Sequence, residues 1–124
     1  MGAQGTGKTA FNLQLSNETF PETYIPTIGV DFRIKYVKFG TKINKVAIWE
    51  TSGQPRFETI TTSYFRGAKL FIIMYDLIDL ESFHKVKHYF ELIQKFAQKD
   101  EIIVAMVANK LDKEEERKVP KEDG

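Results

Sequence analysis

The segment Gly2-Ala3-Gln4-Gly5-Thr6-Gly7-Lys8-Thr9 fits G-x-x-x-x-G-K-[ST], a spacing suited to gripping a chain of phosphates. Glycines let the backbone curl until several N–H groups converge on one anion. Lys8 supplies a point charge for the β- and γ-phosphates. The Thr9 hydroxyl is a hard oxygen ligand of the kind Mg²⁺ takes. A helix starting here adds its positive end to the same anion. A Gly-rich tail would match this pattern in isolation, and it is the later motifs that decide against one. Met1 to Thr6 also fits the myristoylation pattern M-G-x-x-x-[ST]. Since the phosphate loop already requires Gly2, that match is read as coincidence. A β-strand is expected to lead into such a loop, yet only Met1 precedes it.

The elements that must position this loop can be read in order. Ala10 to Ser16 has no helix breaker and continues the loop as a short helix, and Asn17 to Pro26 is polar loop with Pro21 and Pro26. Asp31 to Phe39 alternates, with Phe32, Ile34 and Tyr36 on one face and Arg33, Lys35 and Val37 on the other, as a half-buried strand does. Gly40-Thr41 is a turn, and Ile43 to Trp49 completes a hairpin. Pro55 suits the first position of a helix over Arg56 to Tyr64. Leu70 to Tyr75 and Ile102 to Ala108 are continuous apolar runs, expected as strands covered on both faces. Between them Asp79 is a candidate N-cap. It precedes a helix whose core stripe is expected at Phe83, Val86, Phe90, Ile93 and Ala97. Lys113 to Lys118 is a charged loop or helix start. Strands alternating with helices predict an α/β fold with a parallel sheet.

Composition narrows the function. A chain of 124 residues is one domain, and 42% hydrophobic content with 13% aromatic gives it an ordinary globular core. A net charge of +1 argues against a nucleic-acid partner. No cysteine is present, so there is no disulfide, thiolate metal site or prenylation site, and no lipid anchor is encoded in this chain. No signal peptide or membrane span is visible, which predicts a cytoplasmic protein.

Five segments then run in a familiar order: Gly2 to Thr9; Thr27-Ile28-Gly29-Val30-Asp31-Phe32; Trp49-Glu50-Thr51-Ser52-Gly53-Gln54; Thr61-Thr62-Ser63-Tyr64-Phe65-Arg66-Gly67-Ala68; and Asn109-Lys110-Leu111-Asp112. Together they resemble a small GTPase of the Ras superfamily, most similar to its Rab branch. The resemblance implies GTP and GDP as ligands, Mg²⁺ as cofactor, and effectors, exchange factors and GTPase-activating proteins as partners. It further implies a switch role in vesicle-mediated membrane traffic on the cytosolic face of endomembranes. Gly2, Gly5, Thr6, Gly7, Lys8 and Thr9 would bind the phosphates. Thr27 would give its hydroxyl to Mg²⁺ and its N–H to the γ-phosphate, so that GTP orders its loop. Tyr24 would close over the phosphates, and Phe20 would pack edge-on against the base, although a core contact accounts for Phe20 equally well. Gly53 would sense the γ-phosphate, and Gln54 would orient the attacking water, with Lys8 as its catalytic companion. Asp112 would accept two hydrogen bonds from guanine, which adenine cannot offer, while Asn109 braces the loop and Lys110 lies along the base. Ile28, Phe32, Trp49 and Tyr64 would meet effectors, the aromatics supplying rigid contact area. Packing of Phe32 and Trp49 within the hairpin is the competing reading.

The sequence departs from that pattern in four places. Glu50 stands where the family has Asp, so its carboxylate must fold back or displace the water that links Asp to Mg²⁺. Pro55 biases Gln54 toward extended backbone. Gln4 occupies the loop position nearest the γ-phosphate, where its length crowds Gln54 or the attacking water. These three predict slow hydrolysis. The fourth departure is length. The expected fold is the three-layer P-loop GTPase fold, incomplete, with the first central strand and the C-terminal helix-strand-helix missing. Without that strand its two neighbours stand roughly 9–10 Å apart, their facing polar groups unpaired. A cycling GTPase, a non-hydrolysing guanine-nucleotide module that binds effectors, and a fragment without a stable nucleotide site all remain open from sequence.

Overall fold

Helix α1 spans Lys8–Ser16 in the computed structural model of the chain, which describes residues 1–20, 22–23, 25–98 and 101–123. It opens directly from Gly7, whose φ of 88° lies in the left-handed region that glycine tolerates. It closes at Asn17, also left-handed, whose N–H reaches the Gln14 carbonyl at 3.2 Å.

Strands β1 (Val30–Phe39) and β2 (Lys42–Thr51) form the expected antiparallel hairpin, with Phe32 opposite Trp49 and Asp31 opposite Glu50. The alternation is as read from sequence, and the face it leaves open is the apolar one. Phe32, Ile34 and Tyr36 are 43%, 43% and 67% exposed, whereas Arg33 and Lys35 lie on the covered side, toward α1. The charged face finds partners there. Arg33 Nε meets Glu18 Oε1 at 2.8 Å, and Lys35 Nζ bonds the Leu15 carbonyl near the end of α1. Pairing of this kind offsets the cost of half-burying charge.

Strands β3 (Leu70–Asp76) and β4 (Ile103–Asn109) pair in parallel, Leu70 opposite Ile103. Helix α3 (Leu80–Phe96) packs on β3, its first turn fixed by Asp79 Oδ1, which accepts from the Glu81 N–H at 3.0 Å. The core joins Phe65, Phe71, Ile73, Ile93 and Ala97, with Val86 and Tyr89 packed against them. A smaller cluster unites Tyr75, Leu77 and Val119 with Phe83. Phe90 departs from the expected stripe. It is exposed, and Tyr89 fills the core in its place, because the buried midline of α3 runs through Val86 and Ile93 and leaves Phe90 at its edge. β4 departs as well. It was expected to be covered on both faces, but Ile103 and Met106 are exposed.

The segment after Pro55 is a 3₁₀ turn, Pro55–Phe57, running into a short helix α2, Glu58–Thr62, rather than a helix through Tyr64. Hydroxyls account for the shortening. Thr61, Thr62 and Ser63 each donate to the carbonyl three residues back, at 2.8, 3.1 and 2.6 Å, drawing the backbone from its own ladder.

The two strand pairs are separate two-stranded sheets, as the missing central strand predicts. That strand is nevertheless not wholly absent. Met1 N donates to the Ile72 carbonyl at 2.7 Å, Met74 N–H donates to the Met1 carbonyl at 2.8 Å, and Gly2 bridges Met74 in parallel. One step of ladder therefore anchors the phosphate loop to β3. The remaining space between the hairpin and β3 is a cleft of about 720 Å³ walled by residues such as Trp49, Tyr64, Phe65 and Phe71.

Candidate nucleotide-binding site

The loop Gly2 to Gly7 is held by its own short contacts. Thr6 is fully buried, and its Oγ1 donates to the Ala3 carbonyl at 2.9 Å. A Cβ on Gly2 would lie 2.1 Å from the Met74 carbonyl oxygen, so this position must be glycine for the loop to reach β3. Gly5 is left-handed, with open space around it. Lys8 is buried, and its Nζ folds back to the Ala3 carbonyl at 2.7 Å. Burial pulls its ammonium down from 10.5 to about 8, and the Glu50 carboxylate opposes that pull.

Three oxygens converge beside Lys8. Thr9 Oγ1 and Thr27 Oγ1 are 3.0 Å apart, Thr27 Oγ1 donates to Glu50 Oε1 at 3.2 Å, and Thr9 Oγ1 makes a still shorter bond to the same oxygen. They arrive from α1, from the loop before β1, and from the end of β2. Glu50 is 5% exposed. Among the described residues no group of three or more His, Cys, Asp or Glu forms a metal cluster. The donor set is hard oxygen, two hydroxyls and one carboxylate, which fits Mg²⁺ and not a softer ion.

Around this point lies a cleft of about 510 Å³. Its walls include Gln4, Gly5, Gly7, Lys8, Thr9, Phe20, Thr27, Glu50, Gly53 and Gln54. Gly53 packs directly on the phosphate loop. A Cβ there would come within 2.3 Å of Gln4 N and 2.5 Å of the Ala3 carbonyl carbon. Gln54 is extended (φ −84°, ψ 128°), as Pro55 requires, and its Oε1 accepts from Arg56 Nε at 2.9 Å.

The segment Asn109-Lys110-Leu111-Asp112 is tethered to the loop but does not line that cleft. Asn109 Nδ2 donates to the Thr6 carbonyl at 2.8 Å across 103 residues of sequence, and a Cβ on Gly7 would collide with it at 2.2 Å. Lys110 is left-handed (φ 65°), and its Nζ pairs with the buried Asp76 carboxylate. Asp112 is exposed in the 3₁₀ turn Leu111–Glu116. Arg117 and then Lys121 hydrogen-bond Glu114 in that turn and hold its carboxyl down at about 2. Phe20 is 59% exposed at the mouth of the cleft, which excludes the core contact weighed for it. Tyr24 lies outside the described residues. On the outer face Phe32, Trp49 and Tyr64 stack in series, at 4.4 and 4.8 Å between ring centroids, with Ile28 exposed as well.

Sequence reading missed three supporting residues. Asn12, one helical turn after Lys8, is buried and donates to Glu50 Oε2 at 3.2 Å. Asp76, the polar residue ending the apolar run of β3, receives Lys110 and also accepts from the Ile78 N–H at 3.0 Å. Arg56 holds the Gln54 amide. The first two carried a signal, a polar side chain at a position that helix or strand geometry turns inward.

A left-handed glycine opening a helix at Lys-Thr, seated beside a parallel strand with an acidic residue brought in from a hairpin, defines an incomplete P-loop GTPase fold. The chain belongs to the Ras family, whose pattern it matches over residues 1–124. It is Rab-like. It is 45% identical over 122 residues to the Ras-related protein RABD2a of Arabidopsis thaliana, covering 98% of this chain and 60% of that protein. It is 44% identical over 119 residues to the GTP-binding protein YPTM1 of Zea mays, covering 96% and 57%. To the Ras-related protein Rab-3B of Homo sapiens it is 43% identical over 124 residues, covering 100% and 56%. The chain thus spans a little over half the length of these relatives.

Proposed function

We propose that residues 1–124 form part of one GTPase domain that binds GDP and GTP with Mg²⁺ and serves as a switch in vesicle-mediated membrane traffic, at the cytosolic face of endomembranes. The observation that carries this reading is the 3.0 Å approach of Thr27 to Thr9. It brings a loop hydroxyl 18 residues away to the helix that starts at Lys8. Lys8 and the loop amides take the phosphates, while Thr9, Thr27 and Glu50 hold the cation. The cation, when bound, neutralises charge on the β- and γ-phosphates. Thr27 reports a γ-phosphate by moving with it, and Gly53, pressed against Gln4, is placed to do the same. Asp112 and Lys110 take the guanine base, with Asn109 tying their loop to Thr6. Effectors would read the Phe32, Trp49, Tyr64 stack, and exchange factors and GTPase-activating proteins would act on the loops beside it.

A second reading is favoured by one contact. Arg56 occupies the Gln54 carbonyl oxygen, the atom that would accept a hydrogen bond from attacking water. With Gln54 held in this way and Gln4 lining the same cleft, the chain binds nucleotide and hydrolyses it slowly or not at all. Binding of a fluorescent GDP analogue tests the first reading, with Asp112→Ala expected to erase preference for GDP over ADP. A chain that takes up no nucleotide sinks it. Single-turnover hydrolysis then separates the two readings. Arg56→Ala should speed hydrolysis if Gln54 is the restrained group, and an unchanged rate removes Arg56 from the account.

A further inference from the structure

Glu50 is a buried carboxylate whose close hydrogen-bond donors, Thr9, Thr27 and Asn12, are all neutral. The guanidinium of Arg33 comes no nearer than 3.9 Å, and Lys8 gives its hydrogen bond to the Ala3 carbonyl instead. The carboxylate's near neighbours are thus neutral donors, with the cationic groups of Arg33 and Lys8 standing outside them. Its Oε1 nevertheless lies within 3.2 Å of both threonine hydroxyls, which themselves are 3.0 Å apart. Octahedral Mg²⁺ with bonds near 2.0–2.1 Å sets neighbouring ligand oxygens about 2.9–3.0 Å apart. Two edges of this triangle, at 3.0 and 3.2 Å, are therefore already close to those of one face of a coordination octahedron, while the Thr9–Glu50 edge is shorter. The other carboxylate oxygen is fixed by Asn12, so the group is not free to swing away.

We propose that Glu50 binds the nucleotide's divalent cation directly through Oε1, completing with Thr9 and Thr27 one face of its coordination shell. The longer side chain displaces the water through which a shorter carboxylate would act. This assignment rests on the nucleotide-binding reading and adds to it the mode of metal attachment. It makes Glu50 a determinant of which cation is held, since a direct carboxylate favours an ion that sheds water readily, and Mg²⁺ sheds it reluctantly.

The test uses Mn²⁺ as a paramagnetic substitute, bound with GDP to the full chain. Counting coordinated waters from the line broadening in ¹⁷O-water should give one fewer for the natural chain than for Glu50→Asp, whose carboxylate is shorter by one methylene. In the natural chain labelled with ¹³C at the glutamate carboxyls, electron–nuclear double resonance should detect the strong coupling of a directly bound carboxylate, a readout that needs no variant. Equal water counts, or no such ¹³C coupling while GDP is demonstrably bound, overturn the assignment and leave nucleotide binding intact. Failure of GDP and Mn²⁺ to bind at all overturns both.

Discussion

On the proposed reading Lys8 is the charge a phosphate chain meets, and burial makes that charge conditional on pH. Desolvation draws its ammonium down to about 8, the nearby Glu50 opposing the shift only in part. Phosphate oxygens need the ammonium form, so nucleotide binds only the protonated fraction of the free protein. With a pKa of about 8, roughly nine-tenths of the protein is competent at about pH 7 and roughly a quarter at about pH 8.5. The apparent dissociation constant should rise by the inverse of that ratio, about fourfold. An ordinary lysine would leave it flat over the same range. The assay is titration of a fluorescent GDP analogue across that interval, at constant ionic strength and with EDTA present so that no metal contributes. Glu50→Gln removes the influence that holds the pKa up and should move the fall in affinity to lower pH. Affinity that stays level, or improves, as pH rises would refute the reasoning.

The same shift bears on stability. Between about pH 8 and 10.5 the unfolded chain binds the Lys8 proton and the folded chain does not, so nucleotide-free stability rises with pH across that window. Below it, the charged group costs the fold its desolvation. Lys8→Met should therefore raise the unfolding free energy of the nucleotide-free protein at neutral pH by about 1–3 kcal/mol while abolishing GDP uptake. The Ala3 carbonyl keeps its bond from Thr6 in that variant. Urea unfolding followed by circular dichroism measures the change, and a loss of stability would contradict it. Gly53→Ala places a methyl within 2.7 Å of three backbone atoms of Gly2, Ala3 and Gln4. It should cost about 1–3 kcal/mol by overpacking and weaken GDP binding with it. An unchanged melting temperature would mean that this junction yields freely.

Much of the site was legible because its residues act through backbone chemistry that spacing alone encodes. Gly2 and Gly7 had to be glycine for steric reasons, and the structure supplies the obstacles in the Met74 carbonyl and the Asn109 amide. Glu50 was legible as a candidate metal ligand and as a departure in length, yet its convergence with two hydroxyls was not, since this depends on how loop and hairpin settle against α1. Alternation located β1 and could not say which face turns inward. Periodicity reports that two faces differ, and here the charged one is covered because Glu18 and the Leu15 carbonyl meet it. The apolar run of β4 likewise implied cover on both faces, although apolarity records only what a strand tolerates. Gln54 was read for its chemistry, and the hold of Arg56 on it is a contact between neighbours that no pattern marks.

The candidate site straddles a divided scaffold. Lys8 and Thr9 belong to the loop and helix that Met1 and Gly2 fasten to β3, whereas Glu50 comes from the end of the separate hairpin and Thr27 from the loop just before it. What joins the two halves at the site is polar: Glu50 with Thr9 and Asn12, and Thr27 with Thr9. On the proposed reading, a ligand that engages Lys8 and Thr27 together therefore bridges the hairpin and the β3–β4 layer. Its binding energy adds to the cohesion of the hairpin with the β3–β4 layer, by RT ln(1 + [L]/Kd) for ligand that binds only the assembled form. On the proposed reading, a bound nucleotide would add to the cohesion of the hairpin with the β3–β4 layer, and Glu50, which already bonds Thr9 and Asn12 across that junction, is where its cation would act.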